Sequence, residues 1–250
     1  MRRLSILPSF SSFFLALFAS TSLLSANLPV VEGLVQPYRE VIVSSPVQAV
    51  IIELPVREGD TVVAGDLLLR LYDQPEVLEK KRTEAALEKR EFENRGAQNL
   101  FAERLISEDE ALARRIELDL SRLQFELAAE QVERRRILSP LGGIVVERHL
   151  EEGEMATVGQ ELFRVVDLSR VYVQLFMTLP ESRAFPVDQA VEVFFPETGV
   201  LEPLHGEVVF IDPRVDPASG LLRVRVLVDN EDGLAKPGIR AQVRQKGAEQ

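Results

Sequence analysis

The chain contains no cysteine and no tryptophan, and its 250 residues include only two histidines, His149 and His205, and five lysines. Lacking cysteine, it forms no disulfide, thiolate zinc site, iron–sulfur cluster or cysteine nucleophile. Two isolated histidines supply little for an acid–base pair or an imidazole metal site. Aromatics at 6% and a net charge of −11 argue against a base-stacking platform and against phosphate binding, so no nucleic-acid partner is expected. No nucleophile–base constellation and no phosphate-cradling glycine loop is present. The chain is therefore read as a non-enzyme without cofactor, while 46% hydrophobic residues supply a core for one or two domains.

What is present begins at the N-terminus. Arg2 and Arg3 precede an apolar stretch, Phe13-Phe14-Leu15-Ala16-Leu17-Phe18-Ala19, and no further charge comes before Glu32. Basic residues, a short apolar core and small residues as at Ser25-Ala26 make residues 1–26 a secretory leader, with a retained anchor as the alternative. No cysteine follows, so a lipid anchor is not expected. Loss of the leader removes two arginines and no acid, which leaves the exported chain still more acidic.

The sequence also repeats itself. Residues 45–71 align with residues 139–165 at a constant offset of 94. Ser45-Pro46 matches Ser139-Pro140, Glu53 matches Glu147, and Arg70 matches Arg164. Val50-Ile51-Ile52 and Ile144-Val145-Val146 have the β-branched composition of buried strand. Gly59 and Gly65, and their counterparts Gly153 and Gly159, stand where tight turns require positive φ. One copy cannot bury its own apolar face, so the two are expected to close on each other as a split β-sandwich over residues 40–72 and 138–167.

Between the copies, residues 74–137 contain one glycine, Gly96, one proline, Pro75, and dense charge. Glu76/Lys80, Glu91/Arg95, Glu110/Arg114 and Glu130/Arg134 have the favourable helical order of acid four residues before base. Ser107-Glu108-Asp109-Glu110 reads as a capping box that starts a second helix. Two long helices are thus expected to form an antiparallel hairpin with its tip near residues 103–106. Ala113, Ile116, Leu120, Leu123 and Leu127 form a heptad seam, matched weakly in the first helix by Leu78, Ala85 and Phe92. Leu118, Phe125 and Val132 fall on the opposite face, where they predict an exposed inter-protomer stripe that Phe125→Glu would disrupt without harming the fold; the alternative is a face covered by the chain's own domains, or apolar residues tolerated singly.

Residues 168–246 change to short alternating strands punctuated by Asp212-Pro213, Asp216-Pro217 and Pro237-Gly238. With residues 28–39 they are expected to form a small antiparallel β-barrel. A short helix is expected at residues 181–185 after Pro180.

The order of split sandwich, helical insertion and barrel resembles the periplasmic adaptors, or membrane-fusion proteins, of Gram-negative tripartite exporters. The run Gly206-Glu207-Val208-Val209-Phe210-Ile211-Asp212-Pro213-Arg214-Val215-Asp216-Pro217 looks like the barrel signature of adaptors serving resistance–nodulation–division (RND) pumps. So does its continuation through Arg223-Val224-Arg225 to Lys236-Pro237-Gly238. The resemblance implies a mainly β fold with a coiled-coil hairpin, in the periplasm at the inner membrane. The partners it implies are an RND pump, an outer-membrane channel and further copies in a ring. In the family an arginine–leucine–serine pattern at the tip meets the channel. Leu100 and Ser107 match its spacing, Gly96 stands at the arginine position, and Arg95 or Arg104 would supply the charge. A membrane-proximal domain, common in the family after the barrel, is not expected here.

Three other readings compete. An adaptor of an ATP-driven exporter would share the same architecture. A lipoyl or biotinyl carrier has the same sandwich but needs a lysine at a hairpin turn, and Lys80, Lys81, Lys89, Lys236 and Lys246 all lie outside the repeat. A metal-export adaptor or chaperone would gather soft ligands, whereas Met155 and Met177 are far apart in sequence and no metal site is expected. Asp212 and Asp216 read as Asp-Pro turns rather than calcium ligands.

Overall fold

The computed structural model describes residues 30–200 and 202–246; the expected leader lies outside them. β1 (Val30–Ser44), β2 (Ala49–Glu53), β3 (Thr61–Val62) and β4 (Leu67–Leu71) lead into α1 (Gln74–Ala102) and α2 (Glu108–Glu133). Then come β5 (Arg136–Leu138), β6 (Gly143–Arg148), β7 (Met155–Ala156) and β8 (Glu161–Met177). A single-turn helix, α3 (Leu179–Ser182), precedes β9 (Ala190–Phe194), β10 (Leu204–Ile211), β11 (Leu222–Asp229) and β12 (Arg240–Gln245). Among the described residues no helix is long and apolar enough to cross a membrane.

The repeat becomes a pair of interleaved half-modules. Each lends its short middle strand to the other: β3 pairs with β6, and β7 pairs with β2. The backbone bonds are exchanged in kind. Gly59 N–H donates to the Val145 carbonyl at 2.8 Å and Gly153 N–H to that of Ile51 at 2.9 Å. Gly65 N–H donates to Ser139 and Gly159 N–H to Ser45, both at 2.8 Å. All four glycines have φ between 79° and 91°, the left-handed region in which a side chain is penalised. Side chains repeat as well, since Arg70 Nε lies 2.8 Å from Glu53 and Arg164 Nε 2.9 Å from Glu147. The core follows suit: Ile51, Leu68, Leu69 and Leu71 face the counterparts Val145, Leu162, Phe163 and Val165 in one cluster.

A second cluster fills a closed barrel in which strands follow the order β1, β12, β9, β10, β11 and β8, with β8 pairing back to β1. Alternate residues of β11, Leu222, Val224, Val226 and Val228, are buried as a strand between core and solvent requires. Phe185, just past α3, is fully buried in that core. The expected helix at 181–185 is displaced: Thr178 caps α3 with a reciprocal bond to Glu181, which places Pro180 inside the first turn.

The modules are joined by strands rather than by linkers. β1 pairs with β12 from Val30 to Leu34 and with β8 as far as Ser44, while β8 continues into β6 and β11. A bulge between Pro37 and Arg39 marks the passage. Tyr38 there stacks on Tyr172 at 5.6 Å, and the Arg170 guanidinium sits 4.0 Å from the Tyr38 ring centre.

Close approach at this joint is testable. A Cβ on Gly143 would lie 2.4 Å from the Val166 carbonyl oxygen, whereas on Gly142 its nearest neighbour would be 3.6 Å away. Gly143→Ala is expected to cost about 1–3 kcal/mol in thermal or urea unfolding, and Gly142→Ala close to nothing.

Candidate functional site: the helical pair and its tip

At 29 and 26 residues, α1 and α2 extend about 43 and 39 Å at the helical rise. Both outer ends are held by the sandwich, through β4 before α1 and β5 after α2. Pro75 lies in the first turn of α1, where its missing N–H is harmless. At the base Arg135 pairs with Glu76 and donates to the Tyr72 carbonyl at 3.2 Å. Further out, Arg90 bonds Glu117 at 2.9 Å, and Arg122 lies 4.0 Å from Glu91. Early residues of α1 therefore sit level with late residues of α2.

The faces of α2 are the reverse of the sequence expectation. Leu118 is only 9% exposed, and Phe125 and Val132 are half-buried, aligned with the buried Ser121 and Ala128 against α1. The stripe assigned to inter-protomer contact is the interior of the helical pair, and Phe125→Glu would put a charge there. The heptad seam faces outward instead, with Ile116, Leu120, Leu123 and Leu127 each 50–65% exposed. The physical reason lies in the partner helix. The inner face of α1 offers Thr83, Asn94 and Ala97, small or polar side chains that allow close approach without large hydrophobes opposite.

At the tip, α1 ends in a Schellman motif. Leu105 N–H donates to Leu100 at 2.8 Å and Arg104 N–H to Phe101 at 2.9 Å. The left-handed position is occupied by Arg104, with φ of 62°, where glycine is the usual residue. Ser107 is committed as the N-cap of α2, its hydroxyl accepting from Glu110 N–H at 3.2 Å, so of the expected box the serine half is formed. Leu100 in the last turn of α1, Arg104 in the connection and Ser107 at the start of α2 thus lie within eight residues of chain at the tip. Arg95 is exposed on α1, more than a turn nearer the base than Leu100, and lies outside that connection. Sequence reasoning missed Phe101 and Leu105, which are 44% and 65% exposed at the tip; two bulky hydrophobes in a connecting turn were the available signal. Behind them a cleft of about 290 Å³ is lined by Gly96, Ala97, Leu100, Ile106 and charged neighbours.

Comparison with known proteins settles the lineage. Residues 39–167 match the model of a CzcB-like, barrel-sandwich hybrid domain, and residues 173–249 that of a CusB-like, beta-barrel domain. The chain belongs to the membrane-fusion protein family. It is 29% identical over 238 residues to nodulation protein NolF of Rhizobium meliloti, covering 86% of this chain and 62% of that protein. It is 24% identical over 250 residues to multidrug resistance protein MexA of Pseudomonas aeruginosa, covering 93% and 64%. The chain thus spans under two-thirds of the length of these relatives. Among solved structures, a MacA–MexA chimera carrying the P. aeruginosa MexA α-hairpin domain superposes with a TM-score of 0.75 at 19% identity, over 88% of this chain and 81% of that one. Membrane-fusion proteins are adaptors rather than enzymes.

In this membrane-fusion protein Asp212 and Asp216 are tied into their own loop and its neighbouring strand. Asp212 accepts from the Arg214 side chain at 3.1 Å and from its backbone N–H at 3.1 Å, and Arg223 adds a contact at 3.3 Å. These bonds, Arg214 first, hold the Asp212 carboxyl below the usual carboxylate range. Asp216 accepts from Ala218 N–H and Ser219 in the same loop. Met177 is buried in the barrel core whereas Met155 is exposed on the sandwich. Among the described residues no group of three or more histidine, aspartate or glutamate side chains could hold a metal ion.

Arg104→Gly is expected to stabilise the chain by about 1 kcal/mol through relief of the left-handed residue, and Ser107→Ala to cost about 1 kcal/mol, both read by thermal melts. Because the Asp212 pKa is depressed by folding, its contribution is complete above about pH 4 and is lost as pH falls through the lowered value. The stability gap between wild type and Asp212→Asn should stay constant from neutral pH to about 5 and narrow below 4.

Proposed function

We propose that this membrane-fusion protein is a periplasmic adaptor that assembles in several copies and bridges an inner-membrane transporter to an outer-membrane channel for small-molecule export. The observation that carries the reading is the placement of the helices. Inserted between two halves of one sandwich, with both ends held there, they can only project as a stalk, and their free end presents Arg104, Phe101 and Leu105. Exposed apolar side chains beside a strained arginine make a compact contact surface. The coiled-coil pair, the split sandwich and the barrel serve as stalk, collar and membrane-facing base respectively. An RND pump is the transporter favoured by the Gly206–Pro217 stretch; an ATP-driven transporter is the alternative partner. The basic-apolar leader supports delivery to the periplasm, at the inner membrane.

A photo-crosslinking residue at Leu105 in the full-length protein, expressed in its own host, tests the reading. The expected adduct is an outer-membrane channel, and Leu105→Asp should raise susceptibility to exported compounds at least several-fold with an unchanged circular dichroism spectrum. Normal export by Leu105→Asp, or adducts confined to inner-membrane proteins, would overturn the proposal.

A further inference from the structure

A chain of alternating rings and guanidinium groups crosses the outer wall of the barrel. Val173, Leu175, Val224 and Val226 fill the barrel core, so the residues between them on β8 and β11 face outward. From the stacked Tyr38 and Tyr172 the chain runs to Arg225, whose guanidinium is 5.4 Å from the Tyr172 ring centre and 5.9 Å from that of Phe210. It continues to Arg223, 5.6 Å from the Phe210 ring. In a sequence of net charge −11, this is a local concentration of cations that the composition as a whole opposes.

The two arginines differ in what holds them. Arg223 donates to Asp212 at 3.3 Å. Arg225 is half-buried, yet among the described residues its side chain forms no hydrogen bond and no ion pair, and its Nε is shielded from water without an acceptor. Ring contacts act on the charge and leave the N–H donors unmet. A partly desolvated guanidinium in that state favours a carboxylate, which it can take through two parallel bonds. Beside it lies a cleft of about 490 Å³ between β8 and the loop that joins β10 to β11, a size typical of small-ligand sites. Gln174 lines this cleft directly across from Arg225, and two residues further along β8 Phe176 stands across from Arg223, 54% exposed. Val215 and Leu221 continue the apolar wall. Asp212 and Asp216 also line the cleft, but Asp212 is engaged by Arg214 and Arg223, and Asp216 by Ala218 N–H and Ser219. Arg225 is thus the charge left without a counterpart.

We propose that this cleft binds a flat aromatic organic anion, its carboxylate on Arg225 and the Gln174 amide and its rings against Phe176. The two levels are about 7 Å apart along the strands, the length of a two-ring aromatic acid. Such a ligand supplies acceptors to donors that the protein leaves free and covers an exposed phenyl group at the same time. An organic cation would meet Arg225 with like charge, and an acidic peptide would leave the apolar end unfilled. The site stands on the barrel wall alone and goes beyond the adaptor reading without resting on it.

Equilibrium dialysis of the purified full-length chain against 2-naphthoate tests the assignment. Saturable binding of one 2-naphthoate per chain is expected. 2-Naphthamide, with the same rings and no charge, and acetate, with the charge and no rings, should each bind about tenfold more weakly or worse. Arg225→Gln should weaken 2-naphthoate binding by about tenfold or more with unchanged thermal melting. Gln174→Glu, which gives Arg225 a carboxylate of its own, should do the same, and it decides alone if Arg225→Gln fails to fold. Absence of saturable binding, equal binding of 2-naphthamide, or unchanged binding by either folded variant overturns the proposal. So does a short polyglutamate peptide that displaces 2-naphthoate at a lower concentration than unlabelled 2-naphthoate does, since an acidic protein segment would then be the occupant. None of these outcomes alters the Leu105 adduct, so failure here leaves the adaptor reading in place.

Discussion

The exchange of the short strands β3 and β7 between two half-modules is the constraint on which the molecule depends. Gly59 N–H reaches Val145 and Gly153 N–H reaches Ile51, so neither half satisfies its backbone until the other is present. Burying an unpaired amide is costly, and the apolar faces of Ile51, Leu68 and Leu71 need their counterparts Val145, Leu162 and Val165 to exclude water. Sandwich closure is thus a long-range event. It brings together residues about ninety positions apart in sequence, and loop-closure entropy for such a span grows only slowly with length.

That slow growth is what permits a long insertion, and the insertion inherits its direction from the sandwich. Because β4 and β5 are paired neighbours, the chain leaves and re-enters at adjacent points, and the helices between must run out and back. The Arg135–Glu76 pair, largely removed from solvent, fixes their rotation at the base. An ion pair so removed from solvent adds little net stability but is expensive to break, which suits a device that sets orientation. The continuous strands β1 and β8 do the same for the barrel: bending between modules must pass through the Pro37–Arg39 bulge and its stacked Tyr38, Tyr172 and Arg170.

The tip follows another logic. Elsewhere the left-handed positions of the sandwich turns are filled by glycine, at Gly59, Gly65, Gly153 and Gly159. At the end of α1 the same backbone conformation is imposed on Arg104. Stability alone would favour glycine there, so this turn carries a side chain where the sandwich turns carry none.

Much of this was legible without coordinates. The offset of 94, with paired glycines and paired Glu/Arg residues, announced the twin halves, because local turn chemistry and strand composition are properties of short segments. The alternating strands of the barrel and the serine that caps α2 were legible for the same reason. The helical site was only half legible. Periodicity sorted Leu118, Phe125 and Val132 from Ile116, Leu120 and Leu123 as two faces. Which face met α1 was decided by the tertiary structure, through the small and polar residues Thr83, Asn94 and Ala97 and the anchoring of both helix ends in paired strands. A helix records in its sequence which residues share a side; only its neighbours determine which side is turned inward.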